Sequence, residues 1–294
     1  MLGKTKIVMQ VAAAALLLAG ASDVALAKAA TKAAPAAAVD SMQLGGHPNF
    51  NGVWQVLNSA DWDLEPHSAA TTPAGERALG ALVAQPAGLG VVEGGTIPYK
   101  PEAKALKDTN KANAPGHDAE AMCYLPGIPR ATYINLPFQI VQGDKGDLLF
   151  VYEYASANRV IHMQDVGVPP IDTWMGTSYG SWEGDTLKVV TLGQSPGDVK
   201  LPGGALEPGV TWLDRQGNYL TNTAAVTETF KFIDKDHIQY TATIDDPSVY
   251  SKPWTISMPL YRRVEANAQL LEFKCVPFSE MLLYGDLLEN KPGK

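Results

Sequence analysis

Ala225-Val226-Thr227-Glu228-Thr229-Phe230-Lys231-Phe232-Ile233, then Asp234-Lys235-Asp236, then His237-Ile238-Gln239-Tyr240-Thr241-Ala242-Thr243-Ile244 decides the fold class. Two runs rich in β-branched and aromatic residues, parted by a short charged turn, read as a β-hairpin. The same arrangement recurs along the chain. Phe138 to Gln142 runs through Gly143-Asp144-Lys145-Gly146 into Leu148 to Tyr154, and Tyr179 to Trp182 runs through Glu183-Gly184-Asp185 into Thr186 to Leu192. Trp254 to Arg262 and Leu270 to Cys275 flank Glu265-Ala266-Asn267, and Arg159 to Met163 alternates on its own. Roughly ten short strands joined by tight turns, without interleaved helices, predict an antiparallel barrel or sandwich. Consecutive hairpins imply up-and-down order, and closure removes exposed strand edges, so the expectation is an all-β, mostly antiparallel up-and-down barrel. No fixed-period repeat is visible, which argues against a propeller or solenoid.

Upstream of that sheet the chain is irregular and partly helical. Asn51 to Val56 reads as a first strand, Thr72 to Val83 as an Ala-rich helix, and Pro101 to Asn113 as a second short helix. The organisation expected is a single domain over 45–294, with 45–120 as lead-in and 121–294 as main sheet. Ahead of it, 28–44 reads as a flexible Ala/Lys/Pro linker with nothing to bury. Lys4 and Lys6, the apolar run Ile7 to Gly20 and Ala25-Leu26-Ala27 read as a signal peptide over 1–27. That run is shorter than the roughly 20 residues of a bilayer span, so no integral membrane segment is expected after cleavage. The expected location is the periplasm of a Gram-negative cell.

The net charge is −8, with 23 Lys and Arg against 31 Asp and Glu. An acidic chain without a basic stripe offers no footprint for nucleic acid. Two cysteines in an oxidising compartment are most simply a disulfide, Cys123 to Cys275. Loop-closure entropy allows such a bond up to about 5 kcal/mol. Two free thiols or metal ligands are the alternative, without the spacing or companions of a metal site.

The residues also carry a resemblance. Cys123-Tyr124-Leu125-Pro126-Gly127-Ile128-Pro129-Arg130, Pro137-Phe138-Gln139-Ile140 and Tyr152-Glu153-Tyr154 with Arg159 contribute to it. So do Trp182-Glu183-Gly184-Asp185-Thr186-Leu187, Trp212-Leu213-Asp214 with Gly217-Asn218, Asp246-Pro247, Pro253-Trp254, and Glu272 before Cys275. From about Phe50 onward the chain resembles an uncharacterised family of exported bacterial β-rich, lipocalin-like proteins of proteobacteria and acidobacteria. The resemblance implies a lipocalin-like barrel and no particular activity. Members of that family carry His where this chain has Ser181 and Leu220, an acid where it has Asn222 and Arg where it has Thr229. A metal or proton-transfer role built on those histidines is therefore not expected here.

No Gly-x-Ser-x-Gly elbow, His-Glu-x-x-His helix, P-loop or dinucleotide fingerprint is present, and the five histidines lack ligand spacing. Neither a cofactor nor a metal is expected. Glu153 and Arg159 flank a turn and suggest a carboxylate–guanidinium pair that binds a polar head or pins the turn. Glu153 is expected inside the barrel with Arg159, and Tyr152 and Tyr154 on the opposite face, because residues two apart share a face. Arg130, fixed by the preceding proline, is the leading ligand contact. Tyr133, Tyr152, Tyr154 and Asp214 follow, and Trp54, Trp174, Trp182, Trp212 and Trp254 are candidates for a cavity lining. Arg130, Glu153 and Arg159 are expected to converge on one cavity. The functional expectation is a barrel holding a small, mainly hydrophobic molecule. The alternatives are a cofactor-independent lyase, isomerase or hydratase using Glu153, Asp214 or a tyrosine as acid and base, or a structural envelope protein with no pocket. Oligomeric state is not legible.

Overall fold

The computed structural model describes residues 42–71, 84–113, 118–167, 171–200 and 206–273. The signal peptide, most of the linker, the helix expected over 72–83 and Cys275 lie outside the described residues. Among the described residues there are fifteen strands: β1 Gln43–Leu44, β2 His47–Pro48, β3 Gly52–Gln55, β4 Phe138–Val141, β5 Leu148–Tyr152, β6 Asn158–His162, β7 Thr177–Glu183 and β8 Thr186–Leu192, then β9 Asp198–Lys200, β10 Leu206–Pro208, β11 Thr211–Trp212, β12 Tyr219–Leu220, β13 Ala225–Asp234, β14 His237–Asp245 and β15 Trp254–Arg262. Nine of them close a barrel in the order β13-β14-β15-β3-β4-β5-β6-β7-β8. The remaining six make three two-stranded hairpins outside it.

Alternation decides which side chains fill the barrel. In β13, Val226, Glu228 and Phe230 are buried, and in β14 Ile238, Tyr240, Ala242 and Ile244 are. Leu148, Phe150 and Tyr152 do the same in β5, where Phe150 meets Phe230 edge-on at 5.4 Å. Full burial of a side chain of this size contributes about 1.5–3 kcal/mol, so the interior of the barrel is the main source of stability.

The all-β, mostly antiparallel barrel expected from sequence is present, and two particulars of its topology differ. One neighbouring pair is not a hairpin: β6 and β7 pair parallel through Ile161↔Ser178 and His162↔Tyr179. Parallel neighbours need a crossover rather than a tight turn, and the stretch between His162 and Thr177 supplies it. Gly180 keeps this seam tight: a Cβ there would come within 2.5 Å of Met163 Sδ and 2.7 Å of Ile161 Cγ2. The second concerns Leu270 to Cys275, a run that by its sequence was expected to pair inside the sheet near Phe138 to Gln142. Phe138 and its neighbours instead pair with β3 on one side and β5 on the other. The described part of that segment, Leu270–Phe273, has no strand pairing. β15 instead meets β3 through Tyr261↔Gln55 and Arg262↔Trp54.

The lead-in covers the barrel as well as contributing β3. The expected helix α1, Pro101–Asn113, is present, with Glu102 in its first turn and Lys111 in its last, both favourable to the helix dipole. It lies against the β11–β12 hairpin, where Tyr219 Oη donates to Ala103 O at 3.0 Å. Gly217, at φ +79°, makes the approach possible, since a Cβ would fall 2.7 Å from Asn110 Cβ. Near the β7–β8 turn, His47 of the β1–β2 hairpin stacks on Trp182 at 4.4 Å and 4°. Trp182 lies in turn against Phe50, and Phe50 against Phe232.

Candidate functional site

A four-residue helix, α2, Arg130–Tyr133, follows a cis peptide bond at Ile128–Pro129, and all four of its residues are buried. It separates two polar clusters. Thr132 reaches into the barrel, and Arg130 reaches away from it into the loops.

Inside the barrel the centre is Arg159. Its Nε donates to Ser178 Oγ at 2.7 Å and one terminal nitrogen to Thr191 Oγ1 at 2.7 Å. Both terminal nitrogens donate to the Glu228 carboxylate, one of them to Oε1 at 3.2 Å. Tyr240 Oη donates to the same Oε1 at 2.9 Å. Arg159 is 3% and Glu228 0% exposed, so each charge depends on the other and on these hydroxyls for its solvation. Tyr152 lies beside Arg159, Glu228 and Thr132. Its Oη and Thr132 Oγ1 are buried close to each other, to Arg159 and to Tyr240, but neither completes a hydrogen bond of good geometry.

The second cluster joins loops that are far apart in sequence. Arg130 is fully buried; its Nε donates to Asp61 Oδ1 at 2.9 Å, and its terminal nitrogens donate to Asp118 and to Glu120 Oε2, the latter at 2.8 Å. Arg215 donates from Nε to Glu120 Oε2 at 2.7 Å and from a terminal nitrogen to Oε1, and lies 3.4 Å from Asp61 Oδ2. The Trp62 ring stacks beneath that guanidinium at 4.1 Å. Three carboxyls thus face two guanidiniums. Burial pushes the Asp61 carboxyl up to about 7; Arg130 and Arg215 oppose the rise and Glu120 adds to it. For Glu120 burial acts upward too, but the Arg215 hydrogen bond and the charges of Arg130 and Arg215 outweigh it and bring the carboxyl down to about 2. A hydrogen bond between the two carboxyls adds to the split.

The residues singled out from sequence are distributed differently from the expectation. Arg159 is inside the barrel, but its partner is Glu228, not Glu153. Glu153 follows the last residue of β5 and faces outward, where Oε2 accepts from Leu271 N at 2.8 Å. With Pro137, Arg263, Glu265, Gln269 and Leu271 it lines a surface cleft of about 280 Å³. Tyr152 is the residue that points inward, because alternation continues from Leu148 and Phe150. Tyr154 shares no face with it: the strand has ended, and the residue lies in a 3-10 turn with Oη donating to Glu120 O at 3.1 Å. Arg130 is saturated by carboxylates rather than open to a ligand. Asp214 organises its loop, accepting from Leu64 N, Gln216 N, Asn218 N and Asn218 Nδ2, and burial pushes its carboxyl up to about 6. Tyr133 Oη donates to Leu213 O at 2.7 Å. Arg130, Glu153 and Arg159 therefore occupy three separate surroundings and do not converge on one cavity.

The tryptophans do not form a lining either. Trp182 sits in the stack with His47, Trp212 in the β11–β12 hairpin outside the barrel, and Trp174 beside Tyr124. Trp54 is buried under Arg262, and Trp254 borders a second surface cleft, of about 460 Å³, with Glu93, Pro98 and Lys252. Where the resembled family carries histidines, Ser181 is exposed and Leu220 fully buried. Asn222 donates to Asp172, and Thr229 is hydrogen-bonded to Thr241 across the strands. Cys123 lies in a turn at φ +59°. Among the described residues no group of three or more His, Cys, Asp or Glu is arranged to hold a metal ion, and no helix is long and apolar enough to cross a membrane.

Sequence reasoning missed Glu228, Thr132 and the whole Asp61–Asp118–Glu120–Arg215 cluster. Glu228 had a signal: it stands between Val226 and Phe230 at inward-facing spacing, a position that an unpaired carboxylate does not occupy. Asp61 and Glu120 had none, being ordinary acids in loop sequence. No family model, no curated protein and no solved structure matches this chain.

Proposed function

We propose that this is an exported barrel protein that binds a small, mainly hydrophobic molecule carrying one oxygen function, with that oxygen received by Tyr152, Thr132 and Arg159. The observation that carries the reading is the pair of neighbouring hydroxyls, Tyr152 Oη and Thr132 Oγ1, that face Arg159 in the interior of a closed barrel without completing a hydrogen bond of good geometry. A hydroxyl buried without a hydrogen bond costs about 1–3 kcal/mol in protein mutational data. Two from different elements, beside a guanidinium that is already partnered, suit a carbonyl or hydroxyl group arriving from outside. The neighbouring surface, Phe138, Phe150 and Phe230, suits the apolar remainder. Export and a Cys123–Cys275 bond belong to the same reading, supported by the amino-terminal charge and hydropathy pattern and by the cysteine count.

Native and denaturing mass spectrometry of protein purified from the periplasm tests it. The expected result is a mass excess in the native spectrum that disappears on denaturation and is weakened in Tyr152→Phe and Thr132→Val. A native mass equal to that of the bare polypeptide, both as purified and after incubation with envelope lipid extract, removes the reading. One observation favours a second reading, a structural envelope protein: the inward aromatic side chains are fully buried and in contact with one another. That same bare mass is the outcome this second reading expects.

A further inference from the structure

Any molecule that enters this barrel must displace part of what covers it, and the manner in which α2 is held indicates where. The backbone hydrogen bonds of Ala131, Thr132 and Ile134 are local, to Gly127, Pro129 and Arg130. Its ties to the rest of the described chain run through side chains. Gln194 holds Ile128 from both sides, accepting from its N–H and donating to its carbonyl, and Tyr133 Oη holds Leu213 O. Arg130 makes the ionic ties. On its inner side α2 presents Thr132, whose hydroxyl faces Tyr152 and Tyr240 without completing a hydrogen bond of good geometry.

We propose that residues Ile128–Tyr133 are a gate over the barrel interior, and that one proton held among Asp61, Asp118, Glu120, Arg130 and Arg215 keeps the gate shut. The charge count makes the case. Three carboxylates against two guanidiniums leave one uncompensated negative charge, and Asp61 and Arg130, at 1% and 0% exposure, have almost no water to screen it. A single proton neutralises the cluster. Asp61 and Glu120 are the two carboxyls that share it, and Asp61, pushed up to about 7, is the one that releases it near neutrality. The groups facing this proton are all in the cluster or at its edge: Glu120, Arg130 and Arg215 around Asp61, with the Tyr133 and Tyr154 hydroxyls beyond them. Asp118 engages Arg130 from the far side. Glu120 and Arg215 lie at the margin, 16% and 34% exposed, and give the proton a path to solvent. The gate is therefore shut in mildly acidic medium and loosens as Asp61 ionises.

The inference rests on the binding reading for its purpose but not for its test. Hydrogen exchange of residues 128–134, corrected for intrinsic rates, is measured on the mature protein at about pH 6 and about pH 8.5. The association rate of the apolar fluorophore N-phenyl-1-naphthylamine is measured alongside. Protection should fall on the order of tenfold at the higher pH, since one proton linked to opening allows up to tenfold per pH unit. Probe association should rise with it, and Asp61→Asn, neutral at every pH, should flatten both. Exchange that does not change with pH in the wild type overturns the gate, and probe binding at one constant rate would then leave the binding reading standing. Exchange that changes with pH while no probe ever enters upholds the gate and removes the binding reading. If Asp61→Asn does not fold, the half-exposed Arg215→Gln serves instead. Losing a positive charge that favours ionised Asp61 should move the loosening to higher pH, and an unmoved midpoint overturns the proposal.

Discussion

Arg159 and Glu228 show how much of this protein rests on single side chains. Both charges are almost wholly buried, so the pair is worth having only because Ser178, Thr191 and Tyr240 complete its hydrogen bonds. Glu228→Gln strands the guanidinium and should destabilise by about 3–5 kcal/mol in urea titration. Replacing both together, Arg159→Met with Glu228→Leu, should recover most of that loss. A single variant that unfolds at the wild-type urea midpoint would show the pair to be dispensable. Tyr152→Phe should behave in the opposite way, unfolding no earlier than the wild type, because the hydroxyl removed completes no hydrogen bond of good geometry. At this scale the sequence was half legible. The two-residue period identified which strands carry inward positions, but placing Glu153 inside took the opposite phase of the alternation from the one Leu148, Phe150 and Tyr152 set. Arg159 was recognised as needing a carboxylate. That the carboxylate stands 69 positions away could not be read locally.

Among the elements, the strands were legible and their connections were not. Every barrel strand lies within or beside a run that sequence identified, because β-branched and aromatic runs bounded by Gly and Asp encode both strand and turn. The parallel β6–β7 seam was not encoded that way, since its partners meet through a crossover and not a turn. Gly180→Val tests how far the seam depends on close approach. The added side chain meets Met163 and Ile161, and overpacking of this kind should cost about 1–3 kcal/mol without changing the far-ultraviolet spectrum. A variant as stable as the wild type would mean that the seam gives way freely. The run Leu270 to Cys275 was read as a strand pairing near Phe138 to Gln142; β3 and β5 occupy both sides of that strand, and the described part of the run passes beside Glu153 instead. If Cys275 nonetheless ties this end to Cys123, denatured unreduced protein should show no titratable thiol, and reduction should release two. Thiols titratable before reduction would dispose of the bond.

For the molecule as a whole, the buried acids set how stability varies with pH, and the sign follows from each shift. Asp61 at about 7 and Asp214 at about 6 both stand above the ordinary carboxylate value of 3.8, chiefly through burial. A raised acid binds its proton more tightly in the folded state, so its contribution is fully present below about pH 4 and is lost as pH rises through the folded value. Glu120, at about 2 against 4.5, acts the other way: its contribution is complete above about pH 4.5 and is lost as pH falls toward 2. Stability should therefore peak at acid pH, near 4 to 5, decline most steeply between about 4 and 6 where two groups release protons, and level off above about 7. Each released proton contributes a slope of about 1.4 kcal/mol per pH unit at most. Urea midpoints across pH 3 to 9 measure this directly, and Asp61→Asn should remove the part of the decline that extends from about 6 to 7 while leaving the Asp214 part in place. A wild-type maximum at or above neutral pH, or an Asp61→Asn profile parallel to the wild type, would contradict the assignment. The slope would then have to come from other groups, and the cluster around Arg130 would hold no exchangeable proton in the neutral range.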